Sequence, residues 1–442
     1  MESAKKLVFF LVVLIFISGC KTSKQLPKKI NELNTIIETS ALFNNGFTGF
    51  ALYDPQKKKM LGERYADKYF TPASNTKILT CYTALKMLDE TPAGLRYQSN
   101  KEGITFRGTG NPGFLNDQFL NSTQTSFQFL KKSKKPLSFC ACNFMDQRFG
   151  SGWSWDDYHY AFQAEKSAFP IYGNTVEFSK KNRQAALVVQ PGYFKKNVLE
   201  VSKDGKTGIY RKLDENIFEF SGTNGSLRKS RRPFRPTTQT TIELLQDALE
   251  IPIKSCDGKC EISAYEQMPG GLSTQDMLRQ MMQPSDNFVA EQLLLLCADK
   301  LCDTLQVSKA INWSMENLLN ELIDHPKWVD GSGLSRYNKI TPRSLIEVLD
   351  LLRRELPEEE LFSIFPAGGE SGSIKNWYGG KEKPFVFAKT GSLRHVHCLS
   401  GYVKTKSGRT LIFSFMHNNY TCSTKALMLE MEKVLDYVYE VY

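Results

Sequence analysis

Ser74-Asn75-Thr76-Lys77 sets a hydroxyl three residues before an amine. On a helix, residues i and i+3 lie on one side, within reach of each other. A serine hydroxyl is a poor nucleophile and needs a base. Lysine can be that base only when neutral, which takes burial or nearby positive charge. The pattern S-x-x-K alone is weak, since it also begins at Ser3, Ser18 and Ser226. Only Ser74 opens an apolar run, in which Ile78, Leu79, Tyr82, Ala84, Leu85 and Leu88 occupy more than one face. That spread predicts a helix buried inside a domain. Its N-terminus would supply positive potential and backbone donors for an oxyanion.

Two more short patterns carry suitable groups. Ser285-Asp286-Asn287 stands between two predicted helices, Ser273 to Met282 and Phe288 to Ala298. In an extended turn Ser285 and Asn287 point one way and Asp286 the other. Alone, it reads as an ordinary N-cap. Lys389-Thr390-Gly391 lies in a predicted strand with apolar flanks at Phe385, Val386 and Phe387. Gly391 would let another backbone come close. A rival, Lys206-Thr207-Gly208, sits in a polar, turn-like segment. The five histidines form no H-E-x-x-H and suggest no histidine-based triad. No metal and no organic cofactor is expected.

The elements around these residues suggest an α+β fold. A helix over about 29–42 precedes strands at Phe47–Tyr53 and Met60–Tyr65. Near the other end, Pro384–Arg394, His397–Lys404 and Thr410–His417 read as strands, followed by an amphipathic helix over 423–441. One antiparallel sheet built from both ends, flanked by helices, follows. The middle is then an inserted, mainly β region. The expected limits are 21–96 for the first part, 97–235 for the insertion and 236–442 for the second part. Two basic runs, Lys131–Lys135 and Arg228–Arg232, read as solvated surface.

The chain has 442 residues, enough for two or three domains. Hydrophobic residues make up 41% and charged residues 24%, which excludes a disordered, collagen-like or polytopic membrane chain. A net charge of +10 is mild for this length and does not argue for nucleic acid. Residues 1–20 place Lys5 and Lys6 before the apolar run Leu7–Ile17, which is too short for an ordinary membrane-spanning helix. The run ends in Ile17-Ser18-Gly19-Cys20, which resembles a bacterial lipobox. Cys20 would then be lipidated, and the protein soluble and tethered in the cell envelope or periplasm. Among the other cysteines, Cys256 and Cys260 flank a turn and could close a small disulfide loop. A zinc site with Cys140 and Cys142 ranks lower in an exported chain.

Together and in this order, the three motifs resemble the penicillin-recognising serine enzymes. More than two hundred residues separate Ser74 from Ser285. That gap looks like the class C low-molecular-mass penicillin-binding proteins, D-alanyl-D-alanine carboxypeptidases with domains inserted between the first two motifs. Gly152–Asp157, Ala164-Glu165 and Asp330–Asn338 agree with it. The resemblance implies that Ser74 is the nucleophile, Lys77 its base and Ser285 the proton relay. It implies substrate contacts from Asn287, Lys389, Thr390, Ser392, Arg336 and Asp157. Asp157 would meet the amine of a diamino acid in the stem peptide. Trp153 and Trp155 read more safely as core of the insertion. The expected partners are peptidoglycan stem peptides, β-lactams as inhibitors and the membrane through Cys20. The resemblance also allows endopeptidase activity and a homodimer. The alternatives are a β-lactamase-type hydrolase and a non-catalytic peptidoglycan-binding or β-lactam-sensing lipoprotein. Against the first, no E-x-x-x-N with the class A deacylating glutamate is expected in the roughly forty residues after Asn287.

Overall fold

The computed structural model describes residues 25–119, 122–201, 207–222, 225–256 and 265–442. The leader, Cys20, Lys206 and Cys260 lie outside them. Helix α1 (Gln25–Thr39) buries Leu33 and Ile37. Strands β1 (Phe47–Asp54) and β2 (Lys59–Arg64) form an antiparallel hairpin. A 3₁₀ turn, Ala73–Thr76, then leads into α2 (Lys77–Met87), which is buried nearly all round.

The insertion follows. Its strands are β3 (Ala93–Ser99), β4 (Ile104–Gly108), β5 (Leu137–Cys140), β6 (Thr175–Lys180), β7 (Val188–Gln190), β8 (Val198–Val201), β9 (Gly208–Arg211), β10 (Phe218–Ser221), β11 (Leu227–Pro233), β12 (Ile253–Ser255) and β13 (Glu266–Pro269). One five-stranded sheet runs β12-β5-β4-β3-β13, and two three-stranded sheets run β8-β10-β9 and β11-β6-β7. Helix α3 (Thr238–Leu249) buries Ile242, Leu244, Leu245 and Leu249 in the apolar cluster of these sheets. The limits 97–235 are therefore too narrow for this layer. Its first strand starts at Ala93 and its last ends at Pro269, because short strands distant in sequence close the sheet at both edges.

Helices α4 (Thr274–Met282), α5 (Asn287–Cys302), α6 (Val307–Asn317) and α7 (Pro342–Glu355) come next. Strands β14 (Val386–Leu393), β15 (Val396–Lys404) and β16 (Thr410–Asn418) and helix α8 (Thr424–Val441) complete the chain. The main sheet runs β14-β15-β16-β1-β2, all antiparallel, so the two ends of the chain share one sheet as expected. Alternate residues of each strand serve opposite faces. Cys398, Tyr402, Ile412 and Met416 join the cluster of α2, α4, α5 and α7. Leu399, Val403, Phe413 and Phe415 join that of α1 and α8.

Three sequence expectations change. Cys256 bonds Cys140, 116 residues away, across the parallel neighbours β5 and β12, and not in a local loop. Cys142 is disulfide-bonded too. The second basic run is partly engaged: Lys229 and Arg231 pair with Glu177, and Arg232 donates to the Ile209 carbonyl. Trp155 is 77% exposed and so is not core.

Candidate active site

Ser74 lies in the 3₁₀ turn, and the α-helix proper begins at Lys77. Residues i and i+3 of a 3₁₀ turn eclipse one another, and Lys77 Nζ stands 3.0 Å from Ser74 Oγ. Lys77 has no exposed surface. Its amine donates to Asn287 Oδ1 at 2.6 Å and to the Ser332 carbonyl at 2.7 Å. A neutral amine has two N–H groups and one lone pair. When Lys77 is neutral, these acceptors can take both hydrogens and leave the lone pair to the Ser74 hydroxyl; when it is charged, its third hydrogen goes to Ser74 Oγ. Burial lowers the Lys77 pKa to about 8, against the raising pull of Asp330, Asp286 and Glu291.

The segments that hold Lys77 explain themselves locally. Asp286 caps α5, its Oδ1 accepting from Val289 N at 3.0 Å, so the N-cap reading holds. Ser285 is not extended as expected: its φ is +65°, a left-handed turn into the helix. This turn still delivers Asn287 to Lys77, and Ser285 Oγ accepts from Lys389 Nζ at 2.7 Å. Lys389 is also fully buried and donates to the Thr390 carbonyl. Burial and the charge of Lys77 push its pKa well below the usual lysine range. Gly391 is required by close approach. A Cβ there would stand 2.4 Å from the Pro72 carbonyl and 3.1 Å from Ser74 N, so β14 lies directly against the serine's backbone.

The structure thus brings together Ser74, Lys77, Ser285, Asn287 and Lys389. Thr390 lies on the same strand, its hydroxyl 2.8 Å from that of Ser373. Ser392 is exposed, 3.0 Å from His397 Nδ1. Asp157 is half-buried in a 3₁₀ turn and has no bonded cation among the described residues. Burial and Asp156 raise its pKa, while His159 and Arg336 oppose this. Arg336 is exposed on the 330–338 loop, and its backbone N–H meets the Gly152 carbonyl at 3.4 Å.

Sequence reasoning missed several parts. Asp330 organises its loop by accepting from Gly333 N, Ser335 N, Asn338 Nδ2, Ser332 Oγ and Trp153 Nε1. Glu291, one turn after Asn287, accepts from Ser332 N at 2.8 Å. Burial raises its pKa to about 7, with Asp330 adding to the effect. The Phe162 carbonyl accepts from Asn287 Nδ2 at 2.9 Å. Only the i, i+4 spacing of Asn287 and Glu291 hinted at any of this. One E-x-x-x-N run does fall shortly after Asn287, Glu316 to Asn320. Glu316 is exposed on α6, and Asn317 and Asn320 line a separate cleft with Tyr53, Tyr82 and Asp350.

A serine facing a buried lysine of lowered pKa, with a second buried lysine beside it on a sheet edge, defines a serine hydrolase of the penicillin-recognising class. Residues 30–438 match the model of the D-Ala-D-Ala carboxypeptidase 3 (S13) family, and the chain belongs to that family. It is 24% identical to the D-alanyl-D-alanine carboxypeptidase DacB of Haemophilus influenzae, over 90% of this chain and 91% of that protein. It is also 24% identical to the penicillin-sensitive carboxypeptidase A of Dictyostelium discoideum, covering 79% and 78% of the two chains. The crystal structure of penicillin binding protein 4 from H. influenzae superposes with a TM-score of 0.71 at 19% identity, over 93% of this chain and 99% of that one. The same protein has been solved with a β-lactam, at a TM-score of 0.67 and 18% identity.

The Lys77 amine dictates a pH dependence. Its neutral fraction grows as pH rises through about 8. Acylation by benzylpenicillin should therefore climb with pH. At pH 6 it should run on the order of a hundredfold below its alkaline plateau. Stopped-flow acylation rates between pH 6 and 10 measure this, and a flat profile would exclude Lys77 as the base.

Proposed function

We propose that this D-Ala-D-Ala carboxypeptidase works through an acyl-enzyme on Ser74. The observation that carries the reading is the fully buried Lys77 amine 3.0 Å from Ser74 Oγ, its other partners being Asn287 Oδ1 and the Ser332 carbonyl. Lys77 takes the serine proton as Ser74 attacks the carbonyl of the penultimate D-Ala in a peptidoglycan stem peptide. The backbone N–H groups of Ser74 and Ser392 receive the oxyanion. Ser285 passes a proton to the leaving amine, and terminal D-Ala departs. Lys389 meets the terminal carboxylate with its charge, and Thr390 and Ser392 meet it with hydroxyls. Water then releases the shortened peptide. Because the carboxylate keeps Lys389 charged, that charge helps keep Lys77 neutral. Cross-link endopeptidase activity would use the same residues. A β-lactam enters as a carbonyl that acylates Ser74 and leaves slowly.

Ser74→Ala should abolish both fluorescent-penicillin labelling and D-Ala release from diacetyl-Lys-D-Ala-D-Ala. Labelling that survives the substitution would sink the assignment. Wild-type protein that labels but releases no D-Ala would instead favour a sensor.

Asp157 supports a finer reading. Its half-buried carboxylate lacks a bonded cation among the described residues and has a raised pKa, so an incoming ammonium relieves it. A charge-assisted contact of this kind is worth roughly 1.5–3 kcal/mol. Asp157→Asn should lower kcat/KM about ten- to a hundredfold for peptides with a free side-chain amine at the third position. Benzylpenicillin acylation, which lacks that amine, should hardly change. Equal losses for both ligands would make Asp157 a structural residue.

The lipobox-like Ile17–Cys20 segment supports a lipid anchor in the cell envelope. Cys20→Ala protein should move from the membrane to the soluble fraction after export. Retention in the membrane fraction would remove the anchor from the proposal.

A further inference from the structure

Four side chains form one row across the main sheet. The register pairs Ser392 with His397, His397 with His417, and His417 with Thr48, across β14, β15, β16 and β1. Ser392 Oγ lies 3.0 Å from His397 Nδ1, and Thr48 Oγ1 lies 2.8 Å from His417 Nδ1. Both rings are buried, and neither Nε2 has a hydrogen-bond partner.

The protons of this row can be placed one at a time. Thr48 gives its single hydroxyl proton to the Phe43 carbonyl at 2.8 Å. It must therefore accept from His417, whose proton sits on Nδ1. Burial holds both imidazoles neutral, with His397 near 4 and His417 well below its usual range. Each ring then has one proton to place. On Nε2 of His397 that proton would be a buried donor without a partner, which is rarer and costlier than a buried acceptor. On Nδ1 it has Ser392 Oγ.

We propose that His397 is a positioning residue which donates its Nδ1–H to Ser392 Oγ and so reserves the serine's own proton for the terminal carboxylate of the substrate. Ser392 is exposed while His397 is buried, so the histidine acts only through the serine. With the hydrogen bond reversed, Ser392 would present lone pairs to an anion. Nothing in the motif K-T-G-S announces this residue, which stands five positions later on the neighbouring strand. The inference rests on the proposed carboxylate role of Ser392.

The test uses two acyl thioesters whose leaving groups carry either a carboxylate or its methyl ester. His397→Leu removes the donor and keeps an apolar side chain in the buried position. His397→Asn keeps an N–H close to the Nδ1 position. His397→Leu should lower kcat/KM for the carboxylate thioester on the order of tenfold, mainly through KM. It should change the methyl ester less than about twofold, and His397→Asn should restore most of the loss. Equal losses for both thioesters, no loss for either, or no rescue by asparagine would overturn the proposal. Histidine ¹⁵N spectra of wild-type protein give an independent reading, with protonated Nδ1 and bare Nε2 expected at His397. The opposite tautomer would overturn the proposal even if neither thioester is turned over. That kinetic failure would count against the carboxypeptidase reading itself.

Discussion

A lysine amine without solvent is the constraint on which the rest of this structure depends. An ammonium in such a place is costly, and burial lowers the pKa of Lys77 to about 8. Lys77 has no directly bonded carboxylate to oppose this, only Asn287 Oδ1, the Ser332 carbonyl and Ser74 Oγ. Each of these must be fixed by something else. Asn287 is fixed as the first residue of α5, capped by Asp286. Ser332 is fixed by Glu291 through its N–H and by Asp330 through its hydroxyl. Ser74 is pressed against β14 at Gly391. Burying Lys77 also requires α2 to be covered on all sides, hence the helices over that face of the sheet.

The insertion belongs to this arrangement. Trp153 Nε1 donates to Asp330, and the Phe162 carbonyl accepts from Asn287 Nδ2. At the far end of α5, Arg96 pairs with Asp299 and Arg107 with Asp303. The inserted layers thus hold both ends of the helix whose first residue accepts from Lys77. Without them, Asn287 Nδ2 and one oxygen of a buried aspartate would lose partners, and unmade bonds at buried polar groups cost more than made ones contribute.

Much of this was legible in the sequence. The end strands announce themselves by apolar residues and turn signals, and the antiparallel sheet from both ends follows. The motifs Ser74–Lys77, Ser285–Asn287 and Lys389–Gly391 converge in space. What was not legible is non-local or carried by backbone. Nothing in the spacing pairs Cys140 with Cys256, since four cysteines allow three connectivities. The edges of the inserted sheet are strands of three or four residues, too short for periodicity. Ser332 and Phe162 act through carbonyls, which every residue has. Trp155 looked like core because aromatic content alone cannot tell a covered ring from an exposed one.

Two chemically identical amines face each other here and must do opposite work. Both are fully buried, Lys77 with three oxygen partners and Lys389 with the Ser285 hydroxyl and the Thr390 carbonyl, and burial lowers the pKa of both. Their surroundings in the free protein do not by themselves assign the proton. The terminal carboxylate in the proposed reaction breaks the tie. It lies by Lys389, Thr390 and Ser392, so it stabilises the charged form of the nearer lysine. That charge then disfavours a second one on Lys77. A substrate without the carboxylate leaves the pair undecided. On this argument the carboxylate is more than a handle for binding: its arrival sets the protonation state that the serine requires.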